Sequence, residues 1–186
     1  MKKLATSLLV LLFGSSGASS AKDPETKTFQ TPEGPVTSTR TTVEAVPQSV
    51  VVASAKQVAE ISALSSKAKV FASTYLPGVS NPTLKEFDDA FLLWQRERKR
   101  TYTEQQVIEM LGAHLGSRLV AELDMEWVVV TDQYGTDFAV RAKKYEVLSF
   151  PFSSVAKRIE RGQYEFMAGV YRTVQHTIAS GDLKAR

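Results

Sequence analysis

The sequence predicts an α+β fold with a helical N-terminal half, a small antiparallel three-stranded meander and two C-terminal helices. Two observations support this prediction. Between residues 49 and 119, apolar residues recur at three- and four-residue steps, which is the period of helices that pack along one face. After residue 124 the pattern changes to short β-branched runs separated by turns, and after Pro151 it becomes helical again. Helices, then a small sheet, then helices are typical of an α+β domain.

Three helices are predicted before the sheet. The first covers residues 49–75 and ends before Pro77. The other two begin at Thr83 and Thr103, and each threonine is followed three positions later by Glu or Gln. This spacing is a capping box, in which the two side chains satisfy free N–H groups of the first turn.

Gly112 and Gly116 lie one turn apart on the third helix. In a membrane helix this spacing would favour a dimer contact. The same helix carries Glu104, Glu109 and Arg118. We therefore expect the glycines to allow close packing against a neighbouring element of a soluble domain.

The predicted meander has three strands, at residues 127–131, 137–142 and 145–150. Residues 132–135 are predicted to form the turn between the first two strands, because the last of these four residues is a glycine, which tolerates positive φ. Of the two helices that follow, we expect the first to be capped by Ser153 or Ser154 and closed by Gly162. The second is predicted to cover residues 163–179.

Residues 1–21 have the layout of a secretory signal peptide. Lys2 and Lys3 give a basic start, residues 4–13 are mainly apolar, and residues 14–21 are small and weakly polar. The apolar run is about half the length that would span a bilayer. The layout predicts export, to a periplasmic or secreted location, with cleavage after Ala21.

Residues 22–47 are predicted to be a disordered Thr/Pro-rich linker that precedes a single α+β domain at residues 48–180. This segment holds four prolines, seven threonines and few large apolar residues, so it buries too little surface to offset its ordering entropy. It is either a passive spacer or an arm that binds a partner.

Charge and cysteine content argue against several classes of function. The leader holds Lys2 and Lys3 and no acidic residue, so its removal lowers the formal net charge from +3 to +1. A chain so close to neutral gives no general case for nucleic acid as a partner. Cysteine is absent, which excludes disulfides, thiolate catalysis, Cys-type zinc sites and a Cys-linked lipid anchor. We expect a soluble mature chain with no transmembrane segment, no metal and no cofactor.

Several short motifs between residues 111 and 171 occur together in one known bacterial family. They are Leu111-Gly112, Leu115-Gly116, Trp127-Val128-Val129-Val130, Asp132-x-Tyr134-Gly135-x-Asp137, Ala139-Val140-Arg141 and the run FPFSSVxKRIExG at residues 150–162. As a set they resemble the domain-of-unknown-function family DUF3806. The resemblance implies a small bacterial domain that is often exported. It implies no catalytic residue, because the family carries no established activity.

His114 and Arg118 are the most unusual pair of side chains on the predicted helices. One turn apart, they continue the apolar ridge of the third helix. One interpretation is the floor of a cleft in which Arg118 clamps a carboxylate or a phosphate. The alternative is a structural pair, with Arg118 bonded to a carboxylate or to backbone carbonyls.

Asp132 and Asp137 flank the turn that contains Tyr134. Two carboxylates there are compatible with a metal site or an acid/base pair. Aspartate is also an ordinary turn residue, because its side chain bonds nearby backbone N–H groups. Both interpretations stay open at this stage.

Two basic segments and four aromatic residues complete the candidates for a binding site. Lys157 and Arg158 belong to a charged helix face tempered by Glu160, and residues 96–100 form a second basic run. Either segment is a solvated face or meets an anionic partner such as lipid headgroups or cell-wall polymer. The aromatic residues either stack on a sugar or belong to the core; they are Trp94, Trp127, Tyr134 and Tyr145.

Taken together, these features favour a non-catalytic periplasmic module of the binding, accessory or immunity type. Its expected partner is an envelope protein or an anionic envelope component. No catalytic residue is assigned, because the chain holds no nucleophile elbow, phosphate loop or HExxH helix. The alternative is a hydrolase-like enzyme that acts on an anionic envelope substrate through His114, Arg118, Asp132 and Asp137.

Overall fold

Capping hydroxyls and β-branched runs set where the elements of this chain begin. The computed structural model describes residues 25–31, 34–40 and 47–180. The elements in chain order are β1 (Glu25–Thr31), β2 (Gly34–Arg40), β3 (Ser49–Val52), α1 (Ala55–Tyr75), α2 (Leu84–Arg96), α3 (Glu104–Glu122), β4 (Met125–Asp132), β5 (Gly135–Ala142), β6 (Leu148–Ser149), α4 (Pro151–Arg161) and α5 (Met167–Ala179). The α+β class is therefore confirmed.

The described residues divide into two compact units. The first holds β1, β2 and the hairpin tip Thr131–Thr136. The second holds the helices and most of the sheet. The predicted leader, residues 1–21, lies outside the described residues.

Capping boxes start the first three helices. Thr83 and Thr103 accept from the backbone N–H groups of Glu86 and Gln106, as the sequence predicts. Helix α1 begins in the same way at Ser54, whose hydroxyl accepts from the N–H of Gln57. Each box satisfies donors that the first helical turn would otherwise leave free.

The sheet has four strands in the order β3-β4-β5-β6, so the prediction of three strands is wrong. The additional strand is β3, whose residues were expected to form the start of the first helix. Residues 50–52 are three consecutive valines, and their branched Cβ atoms favour an extended backbone. The N–H of Ala53 then donates to the carbonyl of Trp127 at 2.9 Å, which ends the strand beside β4.

The N-terminal half is not wholly helical, because β1 and β2 pair antiparallel with Glu25 opposite Arg40. These strands occupy the described part of residues 22–47, for which the sequence predicts a disordered linker. Threonine is frequent there and is itself β-branched. A segment with too few apolar residues to form a core is therefore still compatible with a two-stranded ribbon. Residues 41–46 lie outside the described part.

Side chains alternate between the two faces of the sheet. One set of strand residues joins the main core with the helices: Met125, Trp127, Val140 and Ala142. The opposite set forms a second cluster: Val128, Val130 and Ala139, with Val50, Leu148 and Phe150 packed against them. This period of two is the expected pattern for a sheet with both faces apolar.

Gly112 and Gly116 bring α3 close to α4 and to the sheet. A Cβ at Gly116 would lie 2.1 Å from the indole of Trp127, and a Cβ at Gly112 would lie 2.6 Å from the ring of Phe152. Real Cβ atoms do not approach other atoms so closely, so only glycine fits at these positions. The expected close packing of the glycine pair is confirmed.

The two C-terminal helices begin differently from the prediction. Helix α4 starts at Pro151, with no side-chain cap, rather than at Ser153 or Ser154. Proline is favoured at the first helical position because its φ is already helical and its missing N–H would be free in any case. Gly162, with φ of +62°, closes the helix as expected. Helix α5 starts at Met167, four residues later than predicted.

Candidate functional site

His114 lies in the core of the second unit rather than on a cleft floor. Its side chain is 7% exposed. Its ring centre is 4.2 Å from that of Phe87 on α2, and Nδ1 lies 3.4 Å from the hydroxyl of Ser65 on α1. Its Nε2 is enclosed and has no hydrogen-bond partner among the described residues. The imidazole therefore holds three helices together.

Burial controls the protonation of this imidazole. It lowers the pKa of His114 to about 4, and the positive charges of Arg118 and Lys69 act in the same direction. The ring is neutral at neutral pH, as a general base must be. A substrate cannot reach the imidazole, however, because Phe87 packs against the ring and Nε2 is enclosed.

Ser65 and His114 are two members of a possible Ser-His-carboxylate arrangement. Within the part of the chain that the structure describes, the third member is missing, since Nε2 of His114 meets no carboxylate there. A carboxylate at that nitrogen is what orients the imidazole and stabilises its charged form in such a triad. The pair therefore does not form a triad.

Arg118 is engaged by a carboxylate of its own helix. Its Nε lies 2.5 Å from Oε1 of Glu122 one turn later. Burial acts to raise the pKa of Glu122, but the hydrogen bond from Tyr171 and the positive charge of Arg118 outweigh it and hold that pKa below its ordinary value. This is the structural pairing that the sequence left open, and it links α3 to α5 through Tyr171.

The turn between β4 and β5 is built by its own side chains. Oδ1 of Asp132 accepts from the backbone N–H of Tyr134 at 2.8 Å, and the hydroxyls of Thr131 and Thr136 are 3.0 Å apart. Gly135 takes φ of +123°, as the turn requires. Asp132 therefore shapes the turn, and the side chain of Tyr134 is 89% exposed at its tip.

Asp137 has a different partner from Asp132. Its Oδ2 accepts from the hydroxyl of Ser153 at 2.5 Å, which joins β5 to the first turn of α4. The carboxylates of Asp132 and Asp137 thus accept hydrogen bonds from different groups, Tyr134 N–H and the Ser153 hydroxyl. Among residues 25–31, 34–40 and 47–180, no group of three or more His, Asp or Glu side chains is placed to hold a metal ion.

Lys157 and Arg158 lie on α4, where Lys157 is exposed and Arg158 is half-buried. The guanidinium of Arg158 lies over the ring of Phe166, 5.7 Å from its centre. Trp94 and Trp127 belong to the core, so the stacking of a sugar on these two side chains is excluded.

Asp88 is a buried polar residue that the sequence reasoning missed. Its Oδ1 accepts from the N–H groups of Phe166 and Met167 at 3.2 and 3.0 Å. Helix α5 has phenylalanine at its N-cap and no side-chain cap of its own, so Asp88 on α2 supplies that cap. Burial raises the pKa of Asp88 although these hydrogen bonds act to lower it. The available signal was the lack of a capping residue before α5.

The fold and the site define an α+β domain whose polar residues mainly serve its structure. Residues 92–171, from α2 to α5, match the family model "Domain of unknown function (DUF3806)", which confirms the resemblance seen in the sequence. No curated protein matches the chain. The fold is similar to a crystal structure at 1.50 Å resolution from Bacteroides thetaiotaomicron VPI-5482, with TM-score 0.54 and 11% identity over 84% of this chain and 73% of that one. At this identity the likeness concerns the fold alone.

Proposed function

We propose that this protein is an exported accessory module that binds a partner protein of the cell envelope and performs no reaction. Export is supported by the leader pattern of residues 1–21. A periplasmic or secreted location follows from that pattern, and an immunity-type role is one form that such binding takes. Among the described residues, no helix is long and apolar enough to cross a membrane.

Catalysis is disfavoured by how the candidate side chains are used. His114 is buried against Phe87, Arg118 is paired with Glu122, and Asp137 accepts from Ser153. Each of these side chains is therefore already engaged by another group of the protein. A hydrolase would need at least one of them to be free to reach a substrate.

The exposure of Tyr134 is the observation that carries the binding proposal. A large aromatic ring that is 89% exposed gains free energy when a partner covers it. The bond from Tyr134 N–H to Asp132 fixes the backbone that presents the ring, so the backbone loses little ordering entropy on binding. Tyrosine is enriched among the side chains that dominate the energetics of protein interfaces.

The test is recovery of partners from the native envelope with Tyr134→Ala beside the wild type. Truncation of an aromatic anchor costs about 2 kcal/mol or more of binding free energy, so partner recovery should fall at least tenfold. Gln133→Ala is the matched control, because Gln133 is exposed in the same turn. It should keep the partner.

Three results would contradict the proposal. Equal recovery by both variants would exclude the hairpin tip as the contact. Turnover of an anionic envelope substrate that His114→Ala abolishes would instead favour the hydrolase. A mature protein that still begins at Met1, measured by intact mass after expression in a bacterium, would remove the export step.

A further inference from the structure

We propose that the ends of α2 and α4 form one basic surface that binds the anionic headgroups of a phospholipid membrane. The basic surface consists of Arg96, Arg98 and Lys99 together with Lys157, Arg158 and Arg161. Its ligand is a lipid surface rather than the partner protein of the hairpin tip. The inference therefore goes beyond the proposed function and fails separately from it.

The two basic segments are about 60 residues apart in sequence, and the fold brings them together. Nε2 of Gln95, next to Arg96, donates to the carbonyl of Gln163 at 3.3 Å. Gln163 is two residues after Arg161. The last turn of α2 and the end of α4 therefore meet.

A row of aromatic rings in contact with one another connects the two basic segments. The ring of Phe166 is 5.5 Å from that of Phe91, which is 5.5 Å from that of Trp94. Arg158 lies over Phe166 at one end, and Arg100 lies over Trp94 at the other. Because Phe91 and Trp94 are fully buried, the row fixes the spacing of the two segments.

The local charge balance is positive. Residues 95–104 and 157–165 hold seven Lys or Arg against four Glu. Glu97 is occupied by hydrogen bonds from its neighbours, and Glu104 pairs with Arg100. The remaining acids, Glu160 and Glu165, are exposed. Among the described residues, none of the ion pairs involves any of the six cations of the basic surface.

Helix stability does not explain these cations fully. A basic residue in the last turn of a helix, such as Arg96 or Arg161, complements the helix dipole. Arg98 and Lys99 lie beyond the last residue of α2, where that effect has fallen off. Their charges project into solvent on long side chains.

A lipid surface fits this arrangement better than a single bound anion. Five of the six cations are exposed, Arg158 is half-buried, and the set is spread over two segments, which suits many headgroups at once. Leu93, 42% exposed and one turn before Arg96, adds an apolar side chain that contacts the acyl boundary.

The test is sedimentation of the purified exported protein with vesicles of phosphatidylcholine containing about 30% phosphatidylglycerol, at about 0.1 M salt. Binding should be absent with phosphatidylcholine alone and should weaken as salt is raised. A surface cation contributes about fivefold to membrane partition. Lys99→Gln and Lys157→Gln should each weaken binding about fivefold, and the double variant about 25-fold.

Lys56→Gln is the matched control. Lys56 is exposed near the start of α1, and Tyr75 at the end of that helix bonds Glu97 beside the basic surface. Tyr75 is 19 positions after Lys56, which places Lys56 about 28 Å away along the helix axis. The control removes the same charge and should leave vesicle binding unchanged.

Four outcomes of the vesicle assay would overturn the inference. They are equal binding to neutral vesicles, insensitivity to salt, an equal loss in Lys56→Gln, and a loss confined to one of the two segments. Retention on immobilised polyglutamate without vesicle binding would also overturn it and would assign the surface to an acidic protein. Unchanged thermal unfolding of each variant shows that it is folded.

Discussion

Acidification should destabilise this protein through His114, and the substitution His114→Phe should remove that part of the pH dependence. The unfolded chain binds a proton at this imidazole below the ordinary pKa of 6.5, whereas the folded protein binds it only below about 4. Between these values the unfolded state holds more protons. Stability attributable to His114 is therefore present at neutral pH and is lost as the pH falls.

The magnitude follows from the two pKa values. Linkage gives a loss of about 2 kcal/mol between neutral pH and pH ~5, and about 3 kcal/mol by pH ~4. A small domain has roughly 5–15 kcal/mol of stability, so this is a large fraction. Phenylalanine keeps an aromatic ring beside Phe87 and removes the enclosed nitrogen that has no partner.

The assay is urea unfolding at several pH values, followed by the fluorescence of the buried Trp94 and Trp127. Carboxylates titrate in the same range, but they are common to both proteins, so the difference between wild type and His114→Phe isolates the imidazole. His176→Gln is the control, since His176 is exposed on α5. Parallel pH curves for wild type and His114→Phe would show that His114 does not contribute to the pH dependence of stability.

Two further predictions concern packing and capping. Asp88→Ala should lower the free energy of unfolding by about 1–3 kcal/mol because two N–H groups at the start of α5 lose their acceptor. Asp88→Asn keeps an oxygen at that position and should lower the free energy of unfolding by less. Equal losses in the two variants would contradict the capping role of Asp88. Gly116→Ala should cost about 1–3 kcal/mol through its clash with Trp127. Gly169→Ala, in open space on α5, should instead stabilise by about 0.5–1 kcal/mol. Thermal or urea unfolding measures all four.

Local signals predicted the helices that carry their own caps. Thr83 and Thr103 act on N–H groups within three residues, so their effect is visible in the sequence and is confirmed in the structure. Gly162 closes α4 for the same reason, since positive φ is a property of a single residue. The prediction failed at β3, where three valines also fitted the first turn of a helix. Pairing with β4 decided between the two conformations.

The candidate site was less predictable than the fold. Sequence spacing placed His114 and Arg118 on one ridge, yet it could not indicate that Phe87 covers the imidazole or that Glu122 takes the guanidinium. Asp132 and Asp137 appeared equivalent around the turn. In the structure one accepts from Tyr134 and the other from Ser153, because only tertiary packing brings α4 against β5.

Local patterns in the sequence are sufficient to predict the α+β class, the capped starts of α2 and α3, the tight turn at residues 132–135 and the resemblance to DUF3806. These properties depend on residues within a few positions of one another or on composition. Tertiary structure alone decided that α5 begins at Met167, capped by Asp88 from 79 residues away. It also decided that two basic segments meet through Gln95 and Gln163. Both depend on burial of apolar surface between distant helices, which no local pattern specifies.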